Sequence, residues 1–236
     1  MDDAPYSLAL GAAMFHRRAA DSQQGSLRMV DTPLIVGLGG TGTPNSSSEK
    51  LLRQALDRCA ARGAETLMFD GAALDIPMYA PSESARDEKT LALIAGLRRA
   101  NGIIIASPGY HGTVSGLIKN ALDYVQDMAE DEAVYFEGRA VGLIAAAAGW
   151  QATGTTLATL RSITHALRGW PTPMAVAVNS MVPIFGQDGT ITDTGICNQL
   201  DILAQQVVTF ARMRALHELS LQQADGEREA DRAGAE

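Results

Sequence analysis

Five apolar runs that alternate with helical patterns constrain the fold of this 236-residue chain more than any other feature of its sequence. The runs at residues 102–106 and 141–147 contain only apolar residues and glycine, as expected for strands covered on both faces of a sheet. Apolar side chains three and four positions apart follow the runs, which is the spacing of a buried helix face. This alternation predicts an α/β domain with a parallel sheet between two layers of helices. The predicted strands cover residues 34–38, 66–69, 102–106, 141–147 and 174–178.

The chain is predicted to form one domain with a segment of different composition at each end. Residues 1–32 are rich in alanine, serine and glutamine, and we expect a flexible arm or an arm that docks on another subunit. Residues 33–218 contain all the predicted strands and the helices between them. Residues 219–236 are charged and rich in alanine, which predicts a disordered tail.

Composition excludes several classes of function. The net charge of −8 is unfavourable for general nucleic-acid binding, because neutralising phosphates requires a basic surface. No apolar run approaches the roughly 20 residues of a membrane span. Cys59 and Cys197 give no disulfide framework, so we expect a reducing, cytoplasmic setting. His16, His165 and His217 have no companions at metal-ligand spacing, and we predict no metal site.

The first predicted strand runs into a loop of glycines and hydroxyl residues, residues 39–48, that precedes a helix. Glycines let the backbone approach a ligand closely, and the amide N–H groups at a helix N-terminus attract negative charge. Serine and threonine hydroxyls add further donors. We therefore predict a phosphate site in this loop. Its predicted binding residues are Gly40, Thr41, Thr43, Ser46, Ser47 and Ser48.

Other interpretations of this loop fit the sequence less well. A nucleoside-triphosphate loop requires Gly-Lys followed by Ser or Thr, and no such tripeptide occurs. The dinucleotide fingerprint fits poorly, because Gly37 lies within the strand and Asp57 falls in the middle of a helix. A plain helix cap with Ser48 as the N-cap stays open, although one cap needs fewer hydroxyl residues than this loop contains.

Two further loops are expected at the same edge of the sheet, because open α/β sheets bind ligands beyond the carboxyl ends of their strands. Residues 107–113 join an aromatic ring and an imidazole to flexible backbone, and residues 147–151 join small residues to an indole. Phosphate contacts at one end and contacts to a flat ring at the other indicate a mononucleotide, with flavin mononucleotide (FMN) favoured over a purine nucleotide. The residues predicted to contact the ring are Pro108, Gly109, Tyr110, His111, Gly112, Ala148, Gly149 and Trp150.

Residues 107–124, which read SPGYHGTVSGLIKNALDY, closely resemble a motif of the NADPH-dependent FMN reductase family. The loop at residues 40–48 takes the place of that family's phosphate loop, and residues 188–193 (DGTITD) resemble a family stretch before the last helix. The resemblance spans residues 33–217. It implies a flavodoxin-like three-layer sandwich, in which a five-stranded parallel sheet of order 2-1-3-4-5 has helices on both faces. It also implies FMN as cofactor, NADPH or NADH as reductant, and a homodimer or homotetramer.

The chain departs from the family in its phosphate loop, which usually carries an arginine and has none here. The phosphate would then lie on backbone N–H groups and hydroxyls alone. This departure would favour FMN as an exchangeable substrate over a tightly held group, and it leaves the preference for NADPH over NADH open.

The resemblance implies an NAD(P)H-dependent flavin oxidoreductase that passes electrons from FMN to a second acceptor. Free flavin for a monooxygenase partner and a quinone are the favoured acceptors, and azo dyes and metal oxyanions stay open. We predict no catalytic side chain, because hydride transfer to a flavin depends on stacking and positioning. Lys119, Asn120 and Asp123 are expected to serve in caps, packing or subunit contacts. The alternatives are a flavodoxin-type FMN electron carrier without nicotinamide turnover and a nucleotide-binding regulatory domain.

Overall fold

The computed structural model describes residues 32–233, apart from the side chains of residues 227 and 229–233. The arm predicted for residues 1–32 lies outside the described residues except for Thr32. The strands are β1 (Leu34–Gly39), β2 (Glu65–Phe69), β3 (Gly102–Tyr110), β4 (Thr113–Val114), β5 (Ala140–Ala147) and β6 (Trp170–Asn179). The helices are α1 (Ser47–Ala60), α2 (Glu88–Arg99), α3 (Gly116–Asp123), α4 (Trp150–Ala166) and α5 (Thr194–Ala233), and a 3₁₀ helix (Tyr124–Met128) follows α3.

The main sheet is parallel and has the strand order β2-β1-β3-β5-β6, which confirms the predicted α/β class and order. A further short strand, β4, pairs antiparallel with the end of β3, so the prediction of five strands omitted one. The sequence patterns also placed a loop from residue 107. In the structure β3 continues to Tyr110, because Ser107 and Pro108 lie in register with residues 145 and 146 of β5.

Alternate residues of each strand face opposite layers of helices, as the pleat of a strand requires. Val36 and Leu38 of β1 lie in a buried cluster with side chains of α2, α3 and α4. Ile35, which directly precedes Val36, belongs to a second cluster, with side chains of α1 and α5. Because both faces are covered, the central strands consist of apolar residues and glycine almost throughout, as the sequence predicts.

Side-chain caps fix where the helices begin. Ser46 is the N-cap of α1, since its Oγ accepts the N–H of Glu49 at 3.3 Å. The alternative that placed the cap at Ser48 is therefore wrong, because Ser48 already lies within the first turn of the helix. Asp87 caps α2 by accepting the N–H of Thr90 at 2.8 Å. Each such cap typically contributes about 1 kcal/mol to helix stability.

Two helices extend beyond the limits that the sequence patterns indicate. Helix α4 begins at Trp150, so residues 150–151 lie on a helix and not in a loop. Helix α5 is described through Ala233, where the sequence predicts a disordered tail from residue 219. Many residues of that segment are alanine, glutamate, glutamine or arginine, which are good helix formers. No helix within residues 32–233 is long and apolar enough to cross a membrane.

Strand β6 forms one outer edge of the sheet, and the start of this strand has few free amide donors. Pro171 and Pro173 have no N–H, and the N–H of Met174 donates to Oε1 of Gln206 at 2.9 Å. The same strand and α5 enclose a cleft of about 530 Å³. Trp170 is largely exposed beside this cleft. This edge therefore presents apolar rings and carbonyl groups and few N–H donors.

Candidate functional site

The carboxyl ends of the central strands meet at one edge of the sheet. Gly39 of β1 is in register with residue 106 of β3, Pro108 of β3 with residue 146 of β5, and Ala147 of β5 with Asn179 of β6. The loops that leave these strands therefore lie side by side. Helix α1 begins a few residues beyond β1, and helix α4 begins shortly beyond β5. The structure thus brings the three predicted groups of site residues to a single edge.

The loop between β1 and α1 is held by its own polar groups. Oγ1 of Thr41 accepts the N–H of Thr43 and donates to the carbonyl of the same residue, both at 3.0 Å. Asn45 adopts a φ of 58°, and its N–H donates to Oε2 of Glu49 at 3.0 Å. These bonds occupy two of the loop's amide donors before any ligand binds.

The start of α1 supplies the donors that stay available. Oγ of Ser46 accepts the N–H of Glu49, and the carbonyl of Ser46 accepts the N–H of Lys50. Within residues 32–233, the N–H groups of Ser47 and Ser48 have no intramolecular acceptor. Aligned peptide dipoles give this end of the helix a partial positive charge. All six residues predicted to bind phosphate lie in this loop or in the first turn of α1, and their binding role stays a prediction.

A cavity of about 360 Å³ lies between this loop and the loop that follows β2. Of the residues predicted to bind a cofactor, only Thr41 lines this cavity. Three lining residues are carboxylic acids and none is lysine or arginine, so an anion there depends on uncharged donors. The lining consists of Thr41, Gly42, Pro44, Glu49, Asp70, Gly71, Ala72, Asp75 and Leu117.

Glu49 is a site residue that the sequence patterns did not single out. Its side chain is 9 % exposed and pairs with Arg53 at 3.2 Å, four residues later on α1. Its other carboxylate oxygen accepts the N–H of Asn45. A glutamate shortly after a cap residue is a known helix-start signal, so this contact could have been predicted. Its consequence is a negative charge beside the predicted phosphate loop.

The loops after β1 and β2 touch through their backbones. Gly40 has a φ of 117°, and a Cβ atom at this position would lie 2.7 Å from the backbone N of Gly71. A Cβ atom on Gly71 would lie 1.8 Å from the carbonyl oxygen of Thr41. Neither position accepts a side chain without a shift of the backbone. These two glycines therefore set how closely the cavity walls approach each other.

Side chains anchor the long loop after β2 at both of its ends. Oδ1 of Asp70 accepts the N–H groups of Ala72 and Ala73 at 3.1 and 3.0 Å. At the other end, the guanidinium of Arg86 binds both carboxylate oxygens of Asp127 at 2.7 and 3.0 Å. These charge-assisted hydrogen bonds raise the pKa of Arg86 and hold the end of the loop against the 3₁₀ helix.

The middle of the same loop is held by Asn120 of α3. Oδ1 of Asn120 accepts the N–H of Tyr79, and Nδ2 donates to the carbonyl of Pro77, both at 2.8 Å. The sequence patterns gave Asn120 a structural role, and these contacts identify its partners. Lys119 and Asp123 form an exposed ion pair at 2.6 Å, which contributes little to stability.

Strands β3 and β4 form a hairpin whose two-residue turn is His111-Gly112. Their φ angles are 51° and 88°, which is the conformation of a type I′ turn. Tyr110 precedes the turn and is half exposed. Oγ of buried Ser107 accepts the N–H of Ser115 at 3.1 Å, so the hairpin and the start of α3 are joined. Tyr110 and His111 are thereby presented at the edge of the sheet.

The third loop is fixed by Asn179, which the sequence patterns did not single out. Oδ1 of Asn179 accepts the N–H groups of Gly149 and Met181, both at 3.0 Å. Gly149 has a φ of 101°, and the exposed Trp150 begins α4 directly after it. A polar residue that ends an apolar strand was the available signal for Asn179.

The glycines of this edge leave room for a ligand. Cβ atoms placed on Gly42, Gly112 or Gly149 would have no heavy atom within 4 Å. N–H groups without an acceptor in residues 32–233 at one end, and glycines with space around them beside aromatic rings at the other, fit an elongated molecule with a phosphate and a flat ring system.

No group of three or more histidine, cysteine, aspartate or glutamate residues in the described part of the chain could hold a metal ion.

Residues 33–182 match the sequence profile of the NADPH-dependent FMN reductase family. The chain belongs to this family. It is therefore an NAD(P)H-dependent flavin oxidoreductase, with FMN and NADPH as its cofactors. The enzyme class and the cofactors expected from residues 107–124 are confirmed.

Relatives of this flavin reductase agree with the assignment. An FMN-dependent NADPH-azoreductase of Staphylococcus aureus is 27 % identical over 178 residues, which cover 72 % of this chain and 91 % of the relative. FerB, a flavoenzyme NAD(P)H:(acceptor) oxidoreductase from Paracoccus denitrificans, has a TM-score of 0.63 and 18 % identity, covering 78 % of this chain and 99 % of FerB. A flavodoxin, WrbA-like protein from Agrobacterium tumefaciens has a TM-score of 0.52 and 15 % identity, covering 78 % and 99 %. The two structures confirm the flavodoxin-like fold.

Proposed function

We propose that this flavin reductase holds FMN across the three loops at the carboxyl edge of its sheet. The phosphate lies on residues 40–48, and the ring system lies beside residues 108–112 and 148–150. The N–H groups of Ser47 and Ser48 at the positive end of α1, which have no acceptor within residues 32–233, are the observation that carries the proposal. The open space beside Gly112 and Gly149 supports the placement of the ring.

The side chains and backbone of these loops bind and orient their ligands and take no part in proton transfer. FMN held by these loops would supply an acceptor for the hydride of reduced nicotinamide and a donor of electrons to a second acceptor. Tyr110 and Trp150 are exposed at this edge and offer ring surface to a flat ligand. The hairpin at residues 111–112 and the bond between Gly149 and Asn179 keep both ring-binding loops in place, which favours catalysis by orientation.

A molecule with a planar conjugated ring is the second acceptor that this edge favours. A quinone or a second, free flavin could lie against the same exposed rings, and free reduced flavin could then serve a monooxygenase partner. The Staphylococcus aureus relative is named an azoreductase, so an azo dye belongs in the same set of candidate acceptors.

Substitutions at Ser47 test the phosphate site directly. Proline is tolerated at the first position of a helix, where it removes the N–H and little else. The φ of −59° and ψ of 159° at Ser46 suit a residue that precedes proline. Ser47→Pro removes the N–H and the hydroxyl, whereas Ser47→Ala removes the hydroxyl alone. We expect Ser47→Pro to weaken FMN binding about tenfold relative to Ser47→Ala, since a hydrogen bond to a charged group is lost.

Riboflavin, which lacks the phosphate, serves as the control ligand. Its affinity should be the same for the two variants. Equal FMN affinity in Ser47→Pro and Ser47→Ala would place the phosphate elsewhere.

Turnover is tested by anaerobic titration of the FMN-loaded protein with NADPH and then with NADH. The reduced protein is then oxidised with a quinone, an azo dye or free FMN. A flavin band that persists with both nucleotides would instead favour the electron carrier.

We further propose a cytoplasmic homodimer or homotetramer. The family resemblance supports the association, and the free thiols of Cys59 and Cys197 fit a reducing compartment. Light scattering of the purified chain should give a mass of two or four subunits. A mass near that of one 24.9 kDa chain would contradict the association.

A further inference from the structure

The side-chain amide of Asn120 is buried and serves a single segment of the loop after β2. Its Oδ1 accepts the N–H of Tyr79 at 2.8 Å, and its Nδ2 donates to the carbonyls of Pro77 at 2.8 Å and Ile76 at 3.4 Å. Asn120 is 7 % exposed, so water does not replace these bonds. A carboxamide can donate and accept at once, which neither an aspartate nor an aliphatic side chain of similar size can do.

The segment that Asn120 holds adjoins the cavity beside the phosphate loop. Asp75 lies directly before this segment and lines the cavity together with Leu117 and Thr41. Leu117 is three residues before Asn120 on α3, so the two side chains share a face of that helix. One helix face therefore supplies a cavity wall and the residue that holds the adjoining loop.

The loop of residues 70–87 contains no regular secondary structure, and loops of this length in compact domains are usually functional. Its two ends are held by Asp70 and Arg86. Between them, Asn120 and Tyr124 are the only side chains in residues 32–233 that bond to the backbone of residues 76–79. Tyr124 contributes one bond, from its hydroxyl to the carbonyl of Pro77 at 3.2 Å.

We infer that Asn120 is a positioning residue for FMN, because its side-chain amide holds the loop after β2, which forms one wall of the cavity beside the phosphate loop. Asn120 acts through the backbone of residues 76–79 and does not touch the reacting groups. The inference rests on the proposed function, which places FMN at this edge. Loss of the amide then weakens FMN binding and leaves the rate at saturating FMN unchanged.

Asn101, an exposed residue directly before β3 at the amino ends of the strands, provides a control. Its Oδ1 accepts the N–H of Leu34 at 2.9 Å, so Asn101→Ala also removes an asparagine that bonds to backbone. We expect Asn120→Ala to raise the dissociation constant of FMN about tenfold, since several buried hydrogen bonds are lost. In the apoprotein, the amide of Tyr79 should exchange its hydrogen faster. Asn101→Ala should leave both the FMN affinity and the exchange at Tyr79 unchanged.

The comparison of variants separates positioning from general destabilisation. FMN affinity that falls equally in both variants, or that stays unchanged in Asn120→Ala, overturns the inference and leaves the proposed function standing. An apoprotein of natural sequence that binds no FMN overturns both. Where Asn120→Ala does not fold, Tyr124→Phe removes only the hydroxyl bond to Pro77 and should raise the dissociation constant about threefold. No change in Tyr124→Phe then overturns the inference.

Discussion

Gly109 lies where β3 approaches the first turn of α4. A Cβ atom at this position would come within 2.6 Å of Oγ1 of Thr156 and 2.7 Å of Cβ of Ala147. Neither contact relaxes easily, because one atom is bonded close to the helix backbone and the other lies on the neighbouring strand. Gly109 is thus needed for the fit of the hairpin against α4, whether or not it also contacts a flavin.

We expect Gly109→Ala to lower the free energy of unfolding by about 1–3 kcal/mol, the usual cost of overpacking. Gly154→Ala, within α4, is the control, because a Cβ atom there meets no heavy atom within 4 Å. That substitution should raise the free energy of unfolding by about 0.5–1 kcal/mol, since alanine favours helices over glycine. Urea unfolding measures both values, and equal effects in the two variants would refute the role given to Gly109.

Glu49 places a negative charge beside the predicted phosphate loop, and glutamine can keep its hydrogen bond with Asn45. We therefore expect Glu49→Gln to tighten FMN binding about threefold at low ionic strength, because repulsion of the phosphate is removed. The affinity for riboflavin should stay the same. Titrations with both flavins test this prediction, and an equal change for the two ligands would assign the effect to structure and not to charge.

At the scale of single residues, the sequence shows most clearly what near neighbours decide, because turns and helix starts are encoded locally. The flavin contacts of Gly112 and Gly149 stay predictions. Asn120 was expected to serve in caps, packing or subunit contacts, because its partners lie 41 to 44 positions away in the chain and no local pattern reveals them. Asn179 escaped notice for the same reason, since it holds Gly149 from 30 positions away.

At the scale of elements, the alternation of strands and helices along the chain followed from apolar periodicity alone. The sequence patterns missed the short strand β4, and the other errors fell at the ends of elements, where pairing with a neighbour decides the boundary. Strand β3 extends to Tyr110 because β5 and β4 both supply partners. The partners in β5 are distant in sequence, so propensity and turn residues at 107–113 suggested a loop.

The last part of α5 offers a test between a helix and the disordered tail that composition suggests. We expect removal of residues 220–236 to lower the helical circular dichroism of the protein, because the structure describes a helix through Ala233. The free energy of unfolding should change by less than about 0.5 kcal/mol, since the side chains of residues 220–223, 225, 226 and 228 are exposed and substitutions at exposed positions have small effects. An unchanged helical signal after truncation would support disorder.

At the scale of the whole molecule, the buried thiol of Cys59 links stability to pH. Burial raises the pKa of Cys59 to about 12, and the charge of nearby Arg62 opposes this shift in part. An unfolded thiol has a pKa of about 8.5, so the folded state favours the neutral form. The resulting stability is fully present below about pH 8.5 and is lost as the pH rises towards the folded pKa.

We therefore expect the free energy of unfolding to fall between pH 9 and 11 more steeply in the natural protein than in Cys59→Ala. The difference in slope should approach about 1.4 kcal/mol per pH unit, the value for one proton. Cys59→Ala will be less stable at pH 7 because it leaves a small cavity, so the slopes and not the absolute values are compared. Parallel pH profiles would show that the thiol ionises without unfolding.

Strand β6 has a further consequence for the molecule in concentrated solution. An exposed outer strand with free backbone groups can pair with a strand of another molecule and begin β-linked aggregation. Pro171 and Pro173 offer no N–H to such a strand, and Gln206 already occupies the N–H of Met174. An incoming strand would leave its carbonyl groups without donors at this end of β6. The beginning of β6 therefore disfavours pairing with a strand of another molecule, which is the first step of fibril growth.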